Sequence, residues 1–262
     1  MTATATPKEI MATVIANDLR DGEWVEVGAN LPVPRAGALL AHLTHGPNMT
    51  VMLAMTKAYL HDVPVIEEFA FITDVAATRW AEAYYPHDRL LSEMRFWRRG
   101  VFFAGGIQLD RFGNSNLIGL GSDRRRLALR GPGAIATTTN ASHVRRFYLF
   151  VNEHSPRVFV PRCDFVSTVG WAEGGADARR RLGLPGGGPR YCVTPLAVMD
   201  FEESSKRMRL HSVHPGVTVD EVRARTGFDL LVPAHVPVTP APGADELDIL
   251  RTRVDPQGLL RR

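Results

Sequence analysis

A strand–helix–strand rhythm near the start of the chain restricts its fold more than any other feature. Glu23 to Val27 forms one strand, the loop Gly28-Ala-Asn-Leu-Pro32 follows, Pro34 to Leu43 has helical apolar spacing, and Met49 to Ala54 is a second apolar strand after Gly46-Pro47. Consecutive strands joined through a helix predict a parallel pair. The expected fold class is therefore α/β: a single open domain with a mostly parallel sheet flanked by helices. Upstream, Thr6-Pro-Lys-Glu9 is a helix start. Threonine caps, proline takes the first helical position and glutamate closes the box, which predicts a helix ending near Arg20. Open sheets of this type bind ligands at the carboxyl ends of their strands. That rule makes candidate site walls of Gly28 to Pro32 (with Asn30), Ala54 to Ala58 (with Ala54, Met55 and Thr56) and Ala104 to Gln108 (with Gly105, Gly106 and Gln108).

The densest polar stretch runs from Phe103 to Asn116, after an apolar strand from Val101 to Ala104. It turns at Gly105 and Gly106, then presents Gln108, Asp110, Asn114 and Asn116, with Gly113 opening a second turn. Asn and Asp side chains bond nearby backbone in such turns, so a polar corner tying two strands together is one reading. Leu117 to Leu120 is a short strand, and Leu127 to Leu129 runs into the glycine-rich Arg130-Gly-Pro-Gly-Ala134. Gly131, Gly133 and Ala136 also fit G-x-G-x-x-A in outline, but the match is short and Pro132 removes an amide that a dinucleotide loop offers. Phe147 to Val151 and Val158 to Val160 are expected strands, Trp171 to Pro189 an exposed excursion, and Tyr191 to Phe201 with Lys206 to His211 a strand pair. Thr218-Val-Asp-Glu221 caps a further helix that Gly227 is expected to stop. The domain is expected to span residues 1–232. Residues 233–262, rich in proline and charge, form an expected tail, extended or wrapped on a partner.

The formal net charge of +3 does not imply a general nucleic-acid surface. Arginines nevertheless cluster at Arg98–Arg99, Arg124–Arg126, Arg145–Arg146 and Arg179–Arg181. Each cluster is either a solvated face or a contact for phosphates or an acidic partner. Cys163 and Cys192 have no C-x-x-C spacing, which suits a reducing cytosol and two buried structural thiols. His211 and His214 form H-x-x-H, but the His-Pro turn makes a poor metal arm, so no metal is expected. No apolar run is long enough to span a membrane, and Met1 to Pro7 lacks the features of a signal peptide, so a cytoplasmic protein is expected.

Gly105-Gly-Ile-Gln-Leu-Asp-Arg-Phe-Gly-Asn-Ser-Asn116 resembles the Gly-Ala-x-Gln-Val-Asp-x-x-Gly-Asn-x-Asn signature of B-type subunits of family I coenzyme A transferases, the glutaconate CoA-transferase branch. Val27-Gly-Ala-Asn-Leu-Pro32, Arg130-Gly-Pro-Gly-Ala134 and His214-Pro-Gly-Val-Thr-Val-Asp-Glu-Val-Arg-Ala-Arg-Thr-Gly-Phe228 match in the same order. The resemblance covers roughly Pro7 to Val232. It implies an active site shared with an A-type subunit in a dimer or heterotetramer, and an acyl-CoA substrate. It also implies an oxyanion loop made by Gly131, Gly133 and Ala134. Phe69 and Phe71 are either core or the wall of an acyl pocket.

The transferases of this family attack acyl-CoA with a glutamate placed just after the second strand. Here Met49 to His61 contains no Asp or Glu, and Ala54, Met55, Thr56 and Lys57 occupy the place. Carboxylate nucleophilic catalysis then lacks its first step. The resemblance extends to a decarboxylating branch that uses no cofactor and converts 3-methylglutaconyl-CoA to 3,3-dimethylacrylyl-CoA on the way to isovaleryl-CoA. It implies a small subunit of such an enzyme. A transferase or acyl-CoA hydrolase subunit and a non-catalytic acyl-CoA-binding subunit are the alternatives.

Overall fold

The computed structural model describes residues 4–28, 31–53, 56–58, 83, 99–134 and 136–262. The chain divides into two compact units, Met1–Phe103 with Pro240–Arg262, and Ala104–Thr239. Its architecture is the expected α/β one, a mostly parallel sheet with flanking helices.

In the first unit α1 (Pro7–Asp18) starts as its sequence predicts: Thr6 Oγ1 accepts the Glu9 N–H at 3.2 Å, and Glu9 accepts the Thr6 N–H at 2.8 Å. β1 (Trp24–Val27) leads to α2 (Pro32–Thr44) and then β2 (Thr50–Leu53). β3 (Thr56–Ala58) pairs antiparallel with β2, whereas β4 (Gly100–Ala104) and β2 both run parallel to β1. The two helices pack closely because Gly37 has no side chain: a Cβ there would lie 2.7 Å from Ile15 Cγ2 and 2.8 Å from the Ala12 carbonyl. Val25, Val27, Val51 and Val101 in the strands are buried.

The C-terminal residues correct the expected extended tail and the boundary at residue 232. Ala244–Ile249 is helical, Leu250–Val254 forms a π turn and Leu259–Arg261 a 3-10 turn. Leu250, Val254 and Leu260 are buried in the first unit. Thr6 Oγ1 donates to the Leu260 carbonyl, and Arg251 grips Glu9 through Nε and Nη2 at 2.7 and 2.8 Å. Burial raises the Glu9 carboxyl, but Arg251 and the Thr6 amide outweigh it and hold the pKa below the usual value. Proline and charge suggested a solvated tail; the buried leucines and this ion pair decided otherwise.

The second unit begins with two ribbons, β5 (Gln108–Leu109) on β6 (Ser115–Asn116) and β7 (Gly119–Leu120) on β8 (Leu129–Arg130). After α3 (Thr137–His143) comes β9 (Arg146–Phe150), and later α4 (Ala178–Arg181) and β10 (Pro189–Val193), which runs parallel to β9. β11 (Ala197–Phe201) and β12 (Met208–Val213) extend the sheet antiparallel, and α5 (Val219–Ala224) follows.

Several sequence expectations are corrected here. Tyr191 to Phe201 is two strands, because Thr194 Oγ1 accepts the N–H groups of Leu196 and Ala197 and folds a turn at Thr194-Pro195. Val158 to Val160 forms no strand. Val158 lies in a turn and Phe159 makes a single bridge to Leu109 while its ring stacks on His154 at 4.3 Å. Gly227 does not end α5, whose cap is Arg225. It lets the chain pass against the Phe159 carbonyl, where a Cβ would collide. The span Trp171 to Pro189 is not wholly exposed, since α4 buries Ala178 and Arg179.

Candidate functional site

The signature stretch folds into a closed polar knot. Asp110 accepts the N–H groups of Phe112 and Asn114 at 2.9 and 3.1 Å and the Asn114 amide at 2.8 Å. Asn114 also donates to the Ala172 carbonyl and accepts the Gly170 N–H. Asn116 donates to Gln108 Oε1 at 2.7 Å and to the Gly119 carbonyl, and its own oxygen accepts the Ile118 and Gly119 N–H groups. Gln108 Oε1 accepts the Asp164 N–H as well. All four side chains are buried. Burial pushes the Asp110 carboxyl above its ordinary value despite these donors. Gly106 permits the tight entry: a Cβ there would meet the Gln108 carbonyl at 2.7 Å. Gly105 lies at the end of β4, its Cβ position 3.5 Å from the Phe150 carbonyl.

The glycine loop extends the β7–β8 ribbon. Gly131 N–H donates to Ile118 and Gly133 N–H to Leu117, at 2.8 and 2.9 Å. Two of the three amides expected at an oxyanion are thus engaged within the chain. Ala134 differs. Its carbonyl accepts the Thr137 N–H and hydroxyl, each at 3.0 Å, while its N–H has no acceptor among the described residues. Gly133 has φ +93°, a conformation that costs a β-branched residue dearly, and its Cβ position is open. The loop is anchored beneath by Ser167, whose hydroxyl accepts the Leu117 N–H and donates to the Ser115 carbonyl.

A third polar cluster lies past the carboxyl end of β10 and had no signal in sequence spacing. His154 Nδ1 meets Thr194 Oγ1 at 2.9 Å and its Nε2 meets Thr226 Oγ1 at 3.1 Å. His214 Nε2 donates to the Thr194 carbonyl at 2.8 Å, so its Nδ1 accepts from Thr239, which sits 2.7 Å from Ser212 Oγ. Burial, with Arg225 adding to it, lowers His154 to about 4, and burial lowers His214 to about 4 although the Thr194 carbonyl opposes it. Both rings are neutral at pH 7. His211 instead lies 3.6 Å from Asp200, so the H-x-x-H pair does not converge. Among the described residues no His, Cys, Asp and Glu group can hold a metal ion.

Of the expected site residues, Asn30, Ala54, Met55, Phe69 and Phe71 lie outside the described residues. Thr56 begins β3, its backbone opposite Leu53. Gln108, Gly105 and Gly106 belong to the knot and its entry, and Gly131, Gly133 and Ala134 to the loop. Cys163 and Cys192 are buried thiols. Burial, joined at Cys163 by Asp110 and Asp164, pushes both thiols up, away from a nucleophilic thiolate. The arginine clusters divide. Arg179 is buried and donates to the carbonyls of Gly186, Val169, Gly170, Ala141 and Ser142. Arg124, Arg125 and Arg126 are exposed.

Among the described residues, no helix is long and apolar enough to cross a membrane. The chain is 34% identical over 247 residues to the B-type subunit of 3-oxoadipate CoA-transferase from Pseudomonas knackmussii, covering 93% of this chain and 91% of that one. It is 30% identical over 261 residues to the B-type subunit of glutaconate CoA-transferase from Acidaminococcus fermentans, covering 96% and 93%. The crystal structure of the glutaconate enzyme superposes with a TM-score of 0.87 over 100% of this chain and 98% of that one, at 27% identity. The decarboxylase AibA/AibB shares the fold, with a TM-score of 0.81 at 23% identity over 98% of this chain and 97% of that one. The sequence pattern of the family described as "Coenzyme A transferase" matches residues 8–225, and the chain belongs to that family.

Proposed function

We propose that this chain is the B-type member of a heteromeric, cytoplasmic acyl-CoA decarboxylase that converts 3-methylglutaconyl-CoA to 3,3-dimethylacrylyl-CoA. The observation that carries this reading is the absence of any Asp or Glu from Met49 to His61, the stretch that includes β2 and β3. A carboxylate must attack the thioester for covalent CoA transfer, and none stands there. Decarboxylation needs no such nucleophile. The bond between the carboxylate and the γ-carbon breaks, and its electron pair moves through the alkene onto the thioester oxygen. A dienolate and CO₂ result, and a proton then adds at the γ-carbon. The thioester is its own electron sink, so no separate cofactor enters the scheme. Names among the relatives favour transfer, and the missing carboxylate weighs against it.

The contribution of this chain is to polarise the thioester and to exclude water. Ala134 N–H is the donor available for the developing oxyanion; Gly131 and Gly133 hold the loop in shape rather than donate. A well-aimed donor in a dry site contributes about 3–4 kcal/mol to the transition state. Ala54 and Met55 are the apolar residues set for the carboxylate that leaves. The proton donor and the rest of the pocket are assigned to the A-type partner.

The test is to co-express the chain with an A-type partner and supply two reactions without added cofactor. One receives 3-methylglutaconyl-CoA, the other glutaconyl-CoA plus acetate. A product lighter by CO₂ supports decarboxylation. An exchanged CoA ester, or hydrolysis to free acid, refutes it. Thr56→Glu, which puts a carboxylate into the expected apolar wall, should depress CO₂ release at least tenfold.

A further inference from the structure

Among the described residues, the arginine side chains of the β7–β8 hairpin make no hydrogen bond and no ion pair. Arg124, Arg125, Arg126 and Arg130 are all exposed. Among the described residues none of their guanidinium groups meets a carboxylate, and the Arg124 guanidinium lies over the Phe165 ring at 5.8 Å. From Gly121 to Pro132 four arginines face one aspartate, Asp123, which makes the local charge +3, equal to the formal net charge of the whole chain. Asp123 is itself engaged by backbone, since its carboxylate accepts the Arg125 N–H at 2.9 Å and its carbonyl the Arg126 N–H at 3.0 Å. Asp164 Oδ2 accepts the Gly121 N–H at 2.8 Å. These bonds hold the tip in one shape while leaving the cations outward.

The hairpin is continuous with the glycine loop. Pairing runs from Leu120 with Leu129 and Gly119 with Arg130 into the bonds from Gly131 to Ile118 and from Gly133 to Leu117. One ribbon therefore fixes the distance between the loop and the arginines. Arg130, in β8, lies four residues before Ala134, at most roughly 13 Å along the chain, and Arg124, Arg125 and Arg126 form the turn that joins β7 to β8. A pantetheine arm of about thirteen bonds has the reach of about four extended residues, close to 15 Å. A thioester held at Ala134 thus brings its pyrophosphate within reach of Arg130, and the nucleotide beyond it extends toward the arginine turn. Planar guanidinium groups are suited to bidentate phosphate contacts. The exposed Leu129 on the same ribbon gives the pantetheine methyl groups an apolar neighbour.

We infer that Arg124, Arg125, Arg126 and Arg130 form a docking strip for the nucleotide phosphates of a coenzyme A ester whose thioester sits at the glycine loop. The inference rests on the acyl-CoA reading above and adds which residues of this chain recognise the nucleotide.

The experiment is a binding titration on the full chain in complex with its A-type partner, using CoA, dephospho-CoA and pantetheine. The variants are R124Q/R125Q/R126Q and the charge-preserving R124K/R125K/R126K. The glutamine variant should bind CoA about 10- to 100-fold more weakly, each lost phosphate contact being worth up to about tenfold. It should bind pantetheine as the unsubstituted complex does, and should narrow the preference for CoA over dephospho-CoA. The lysine variant should recover most of the loss. Unchanged CoA affinity in the glutamine variant overturns the inference, as does an equal loss for pantetheine. Dissociation of the complex on gel filtration also overturns it, in favour of a protein contact at the strip. CO₂ release is measured on the same samples. CoA binding that depends on the strip, without CO₂ release, removes the decarboxylase reading and leaves the strip. Normal CO₂ release with indifferent binding does the reverse.

Discussion

The polar knot and the arginine hairpin are neighbours in sequence and opposites in physics. From Gln108 to Asn116 the side chains turn inward and bond one another and the backbone. From Arg124 to Arg130 they turn outward and leave their charge in solvent. The first region bears the family signature, yet its polar groups have little left for a ligand. A buried polar group without its partner costs more than a made bond returns, so such a network is under strong constraint whether or not substrate comes near. The second region has an ordinary-looking arginine run and retains its full capacity to bind. Motif density therefore marks where the fold is exacting, and uncommitted polar groups mark where a ligand is received.

If inward commitment is structural, disturbing it should move stability by large amounts, and pH is the strongest probe. His154 and His214 each fall from an ordinary 6.5 to about 4 in the folded chain. The unfolded state then binds more protons between those values, so stability declines as pH drops from about 6.5 toward 4 and levels off below. Each ring contributes roughly 3 kcal/mol over that window. Denaturant melts at pH 7 and pH 4.5 should show the loss, and His214→Gln should remove about half of the pH slope. A flat profile would mean that the Thr194, Thr226 and Thr239 cluster accommodates imidazolium.

Asn114→Ala tests the knot itself. It strips a donor from Asp110 and an acceptor from Gly170 in a site where both residues are buried. The expected loss is about 3–4 kcal/mol, read from the denaturant midpoint. CoA affinity of the folded fraction should be unchanged; a fall there would give the knot a ligand role. Glu9→Gln is smaller. It weakens the grip of Arg251 on α1 but leaves an amide that still bonds, costing about 1–2 kcal/mol by the same melts.

What was legible in the sequence follows the same division. Elements governed by local rules were readable: the Thr6 cap, the parallel β1–α2–β2 unit and the Asn–Asp turns all depend on residues a few positions apart. Features decided by distant partners were not. Arg179 looked like part of a solvated run because its carbonyl acceptors span from Ala141 to Gly186. The tail looked extended because Leu250 and Leu260 find their burial in a unit that begins at the other end of the chain. At the candidate site the direction of the glycine-loop amides was not readable, since Gly131 bonds to Ile118 and Gly133 to Leu117 across a ribbon whose register no spacing reveals. The turn at Thr194 was readable in principle: Thr-Pro between two apolar runs is a turn signal.

R124Q/R125Q/R126Q removes three charges, yet the melt of the folded complex without ligand should shift by no more than about 0.5 kcal/mol, as for surface positions with no buried partner. Like charges at successive positions repel, so the shift should be slightly stabilising and should vanish as salt screens the repulsion. Contacts made by the fold would instead give a clear loss of stability at every salt concentration, because removing a partnered cation leaves its acceptor unsatisfied. The same substitution that leaves the ligand-free melt unmoved should abolish most of the stabilisation that added CoA confers, since a ligand stabilises only in proportion to its affinity for the folded state. A neutral melt with lost ligand stabilisation is the signature of residues kept for something outside the chain. The Asn114→Ala variant should give the inverse pattern, and the two melts side by side distinguish the regions without any measurement of turnover.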